Sequence, residues 1–167
     1  MIEAEKYLEV FQEAASQLDQ RQLEKMQIEV AVGELLNCVA LKLYKKSWVN
    51  PDEKDPLTAK SRIFFSIWVS DDSIAEQQLL YNIHALKLRQ LRGYSIESRK
   101  FAALFRENFK PFEPQWPNVS VQFGPLTLME GWSTIDVGHF RHDVVELANN
   151  FLKITPLVDH ALSTFKL

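Results

Sequence analysis

From the first residues onward, apolar side chains return every three or four positions: Ile2, Leu8, Phe11 and Ala15, then Leu23, Met26 and Val30. This is the period of a helix that buries one face. Between the two sets, Asp19-Gln-Arg-Gln22 has the Asp-x-x-Gln spacing of a helix start. The pattern predicts one helix, a break, and a second helix reaching about Leu36. Residues 28–36 also permit a strand, because Ile28, Val30 and Val32 alternate, and Gly33 weakens either assignment.

From Val39 the period becomes two, with Val39, Leu41 and Leu43 on one side and Lys42, Tyr44 and Lys46 on the other. Residues 50–60 contain Pro51, Pro56 and mostly charged or amide side chains, which predicts an exposed connection. Alternation then resumes with Ile63, Phe65, Ile67 and Val69 opposite Arg62, Phe64, Ser66 and Trp68. Residues 39–70 therefore read as a long-looped hairpin. Ser73-Ile-Ala-Glu76 has capping-box spacing and predicts a helix to about Leu91, buried through Leu79, Leu80, Ile83, Leu86 and Leu91. Beyond Gly93, the positions Ile96, Phe101, Leu104, Phe105 and Phe109 predict a further helix.

Three prolines between Lys110 and Asn118 end that helix. Val119, Val121 and Phe123, a Gly124-Pro125 turn, and Leu126, Leu128 and Trp132 predict a second hairpin over residues 119–135. Asp136 is placed to cap a closing helix with Phe140, Val144, Leu147, Phe151, Ile154, Val158 and Leu162 inward, which Pro156 would kink or split. The order predicts one α+β domain over residues 1–167. Its mainly antiparallel sheet is built from two hairpins and packed with N-terminal, middle and C-terminal helices.

Composition fits that expectation: 46% of the 167 residues are hydrophobic and 25% charged, an ordinary globular balance with length enough for a core. Eleven Phe, four Trp and four Tyr are a large aromatic stock, enough to supply a contact surface as well as a core. The lone Cys38 allows neither an internal disulfide nor a cysteine zinc cluster. Residues 1–13 carry four glutamates, unlike a secretory leader, and no apolar run reaches membrane-spanning length. A cytoplasmic protein without membrane contact is the expectation.

Charge is unevenly spread. Residues 84–110 hold seven basic side chains, among them Lys87, Arg89, Arg92, Arg99 and Arg106, against Glu97 and Glu107. Residues 1–36 hold eight acids against three bases. The acidic and basic regions are expected to pack near one another, within a subunit or across a dimer. Alternatively, the basic window with Tyr94 faces phosphates or an acidic peptide. His139, His142 and Glu146 are spaced to project from neighbouring helical turns, where Asp136 or Asp143 would add an oxygen ligand; this is the candidate metal set, against the simpler reading of a solvated helix start. No Gly-x-Ser-x-Gly elbow or phosphate-cradling glycine loop occurs, and no cofactor is expected.

The element order, with Gly124-Pro-Leu-Thr-Leu-Met-Glu-Gly-Trp132 feeding Asp136-Val-Gly-His-Phe-Arg-His-Asp-Val-Val-Glu-Leu147, resembles the secretion-chaperone-like fold of type III secretion chaperones and YbjN-like proteins. The resemblance implies a homodimeric, non-enzymatic protein that binds other polypeptides. The function expected is thus a chaperone-like or adaptor domain that docks a protein partner, or a second copy of itself. The surface expected to do this comprises Trp48, Trp68, Lys87, Arg89, Arg92, Tyr94, Arg99 and Arg106. The alternatives are a metal-dependent hydrolase or nuclease using His139, His142 and Glu146, and a nucleic-acid-binding protein using the 84–110 segment.

Overall fold

A computed structural model describes residues 3–35 and 37–167. Helices α1 (Leu8–Ser16) and α2 (Gln20–Met26) lead into five strands: β1 (Ile28–Leu35), β2 (Cys38–Lys45), β3 (Arg62–Ser70), β4 (Gln78–Leu86) and β5 (Thr127–Thr134). Helix α3 (Asp71–Ala75) joins β3 to β4, α4 (Ser98–Phe109) lies between β4 and β5, and α5 (Phe140–Thr164) follows β5. The strands form one sheet in the order β1-β2-β3-β4-β5, every neighbouring pair antiparallel. The α+β class and the antiparallel sheet agree with the sequence pattern. The expected Ile2 and Leu36 helix positions lie outside the described residues.

The sheet is a meander and not two separate hairpins, and four local corrections explain the difference. Residues 28–35 are strand: Gln27 takes a left-handed conformation that ends α2, and Val30 and Val32 then pair with Leu43 and Leu41. Asp19 does cap α2, accepting from the backbone of Arg21 and Gln22. The capping box near residue 73 starts at Ser70: the Ser70 hydroxyl accepts from the Ser73 backbone and the Ser73 hydroxyl from the Ser70 backbone, and the helix it begins ends at Ala75. Residues 78–86 are strand β4: Leu79, Tyr81, Ile83 and Ala85 are buried on one face, and Leu80 and Leu86 on the other fill the gaps into an apolar run that also satisfies a helical spacing. Residues 119–123 form no strand; only Ser120 bridges to Glu130, and β5 pairs with β4 instead.

One face of the sheet carries the core. Leu41, Leu43, Ile63, Phe65, Ile67, Tyr81 and Ile83 are completely buried beneath the helices. Phe65 stacks on Phe151 of α5 with ring centroids 4.3 Å apart, and Trp116 and Tyr81 pack against Phe65 from the side. Much of the aromatic stock is therefore internal. Helix α5 runs through Pro156 without a break. Asp136 does not cap it; its carboxylate accepts from Gly138 in the preceding turn, and His139 occupies the cap position.

Candidate functional site

Side chains alternate across strands, so the register that buries Leu41 and Phe65 sends a second set to the opposite, helix-free face. Ala31, Lys42, Ser66, Asn82 and Glu130 form one row across all five strands. Gly33, Ala40, Trp68, Leu80 and Trp132 form the next, while Phe64 faces His84 on the other side of the first. The connection between β2 and β3 adds Leu57 and Thr58 as walls. The result is a basin of about 370 Å³, with apolar walls that include Phe64 and Trp68 and a polar floor of Lys42, Ser66, Asn82 and His84. This volume lies within the range of small-molecule sites.

The floor is a connected polar group. Asn82, only 4% exposed, points its amide nitrogen at His84 Nε2 at 2.7 Å and at Glu130 Oε1 at 3.1 Å. The amide nitrogen thus lies between the imidazole and the carboxylate. Burial pushes His84 below its ordinary range, with Arg62 and Lys42 adding to the fall and Glu130 opposing it. The other amide atom, Asn82 Oδ1, is buried and accepts no hydrogen bond from the described residues.

Lys42 is half-buried, and burial is the main cause that lowers its pKa, reinforced by Arg62 and opposed by Cys38 and by Asp55 in the β2–β3 connection. Its ammonium lies 4.8 Å from the centre of the Phe64 ring, whose other neighbours are Arg62 and the stacked His84. No carboxylate among the described residues comes within 4.0 Å of that ammonium. The basin thus contains a cation without a contacting carboxylate among the described residues.

No family model, curated protein or solved structure matches this chain. Its site residues stand on geometry alone.

Of the side chains the sequence singled out, Trp68 lines the basin. Trp48 does not belong to any surface: it is fully buried, its indole N–H donates to Asp159 at 2.9 Å, and its ring meets Phe151 edge-on. Arg106 is engaged in holding the chain, donating to the carbonyls of Phe123, Gly124, Thr127 and Leu128. Arg92 pairs with Asp52. Lys87, Arg89 and Arg99 are exposed and Tyr94 is partly buried, all outside the basin. Among the described residues none of the ion pairs joins the acidic N-terminal region to the basic window; Glu13 pairs with Arg141 and Glu29 with Lys46. His142 and Glu146 form an exposed pair at 3.3 Å, His139 lies beside His142, and no group of three metal-ligating side chains assembles among the described residues.

Lys42 and Asn82 went unselected in the sequence because each occupies a polar position on a strand, and only the strand register brings them together with His84, which the sequence offered as a titratable group. Asn82 carried a usable signal, as a small amide in the otherwise apolar run Leu79-Leu-Tyr-Asn-Ile83. Among the described residues no helix is long and apolar enough to cross a membrane.

Proposed function

We propose that this domain is a non-enzymatic binding module that holds its ligand in the basin on the open face of the sheet. One observation carries the reading: a basin of about 370 Å³, walled by Phe64 and Trp68, holds the Lys42 ammonium, which has no carboxylate in contact among the described residues. The chemistry of the floor favours holding over bond-making. His84 has its Nε2 committed to Asn82. The Cys38 thiol at the rim is pushed up by burial, away from the reactive thiolate.

The test is protein-observed NMR with a set of small neutral aromatic probes. Shift changes are expected to cluster on Ala40, Ser66, Trp68 and Asn82, and to disappear in Ala40→Trp, which fills the basin. Shifts confined to the helical side of the molecule, or unchanged in Ala40→Trp, would remove the basin as the site.

A second reading, capture of a polypeptide or of a second copy of the chain, draws support from β1. This strand pairs only with β2, and it ends in Leu35, which is 67% exposed. An unpaired edge of this kind accepts an added strand. A dimer in solution that dissociates on Val32→Pro, at the middle of that edge, is the result this second reading requires.

A further inference from the structure

We propose that the basin is a carbonyl trap, in which Lys42 forms a reversible imine with a small aldehyde whose body is flat and apolar. The inference rests on the basin being the binding site, and adds the ligand's chemical class and the atom that holds it.

The setting of the amine carries the proposal. Lys42 lines the basin from β2, half-buried, with its nitrogen 4.8 Å from the centre of the Phe64 ring. Unlike the sealed, unpartnered atoms of Ser61, Arg62, Asn82 and Ser133, this nitrogen keeps surface open to the cavity. Lys6, Lys45, Lys46 and Lys100 each have a carboxylate in contact. Lys42 has instead a second cation, the Arg62 guanidinium, 5.2 Å from the centre of the same ring. The charged and titratable groups facing it are Arg62 on β3, His84 on β4, Cys38 on its own strand and Asp55 in the β2–β3 connection. Burial is the largest influence and Arg62 adds to it, both favouring the neutral amine. A lysine pressed toward its neutral form by apolar surroundings and a neighbouring cation is a nucleophile for carbonyl carbon.

The cavity selects what accompanies the carbonyl. Phe64, Trp68, Ala40 and Leu57 bound the space beside the amine, which suits a planar apolar ring. The step balances without oxidant or reductant. The Lys42 lone pair attacks the carbonyl carbon, the π pair moves to oxygen, and the amine proton passes through water to that oxygen. Loss of water from the carbinolamine then turns the new C–N bond into C=N. Hydrolysis runs the same path backwards, so the bond holds the ligand and turns nothing over.

Benzaldehyde with sodium cyanoborohydride, applied to the full chain at neutral pH and read by peptide mass mapping, tests the trap. The benzyl mark is expected on Lys42 at least about fivefold over any other lysine. Lys42→Arg should lose it, and Ala40→Trp, which fills the basin, should lower it. Excess benzyl alcohol, which has the same body and no carbonyl, should lower it on the unaltered protein. The lead of Lys42 should close above about pH 10.4, where exposed lysines are neutral as well. Even marking of all lysines, with benzyl alcohol still shifting the NMR signals of Ser66 and Trp68, overturns the imine and leaves the basin as a binding site. Benzoate binding more tightly than benzyl alcohol, with Lys42 marked no faster than the rest, also overturns it, because the cation then serves as an ion-pair partner. Preferential marking of Lys42 that neither benzyl alcohol nor Ala40→Trp reduces overturns the basin as the seat of the aldehyde. Absence of both the NMR shifts and the preferential mark, in a protein whose circular dichroism is native, overturns the imine and the basin together.

Discussion

At the residue scale, two positions on the sheet set narrow tolerances. Gly131 of β5 faces Tyr81 of β4, and a Cβ at Gly131 would lie 2.3 Å from the Tyr81 hydroxyl and 2.9 Å from the Pro117 carbonyl. That hydroxyl donates to Pro117 at 2.7 Å, so the missing side chain makes room for the bond that ties the segment before β5 to the sheet. Gly131→Ala is expected to cost about 1–3 kcal/mol, read as a lowered urea midpoint with unchanged slope. The second position is His84. Its pKa is lowered in the folded chain, so the unfolded chain takes up the proton first as pH falls below about 6.5. Stability should therefore fall from that pH down to the lower folded value and then level off. Asp143, whose carboxyl is raised by burial, acts with the opposite sign, but from the carboxylate range upward. Urea midpoints at about pH 7.5 and about pH 5.5 isolate the imidazole, and His84→Gln should flatten the difference.

At the scale of elements, α5 is fastened to the sheet by more than apolar packing. The Asp159 carboxylate receives the Lys45 ammonium at 2.6 Å on one oxygen and the Trp48 indole N–H at 2.9 Å on the other, linking the helix to the end of β2 and the turn after it. Asp159→Ala leaves a buried indole N–H without an acceptor, and is expected to lower stability by about 1–3 kcal/mol; Asp159→Asn, which keeps an acceptor, should lose less. Denaturant unfolding of both variants checks the order. The legibility of each element followed its exposure. Strands β2 and β3 were readable because Leu41 and Leu43 alternate with Lys42 and Tyr44, and Phe65 and Ile67 with Ser66. Strand β4 was not, since Leu80 and Leu86 on its second face erase the alternation and mimic a helical stripe. The turn between α2 and β1 hinges on Gln27 in a left-handed conformation, which no glycine or asparagine announces.

For the whole molecule, the same distinction separates what was readable from what was not. The α+β class and the antiparallel sheet follow from periodicity, which is local. The basin does not, because its floor joins residues 42, 66 and 82, whose proximity exists only once three strands are in register. Charge patterning is redistributed by the fold. Within the basic window, Arg106 turns to backbone carbonyls and Arg92 to Asp52, while Lys87, Arg89 and Arg99 stay exposed.

The four indoles divide between the two sides of the sheet. Trp48 and Trp116 are sealed in the core, whereas Trp68 and Trp132 stand partly exposed on the open face, with Trp68 alone lining the basin. The protein is consequently furnished with its own optical gauge. Ultraviolet excitation draws a blue-shifted emission from the sealed pair and a redder one from the open pair, and an occupant of the basin perturbs only the latter, with the former as internal reference.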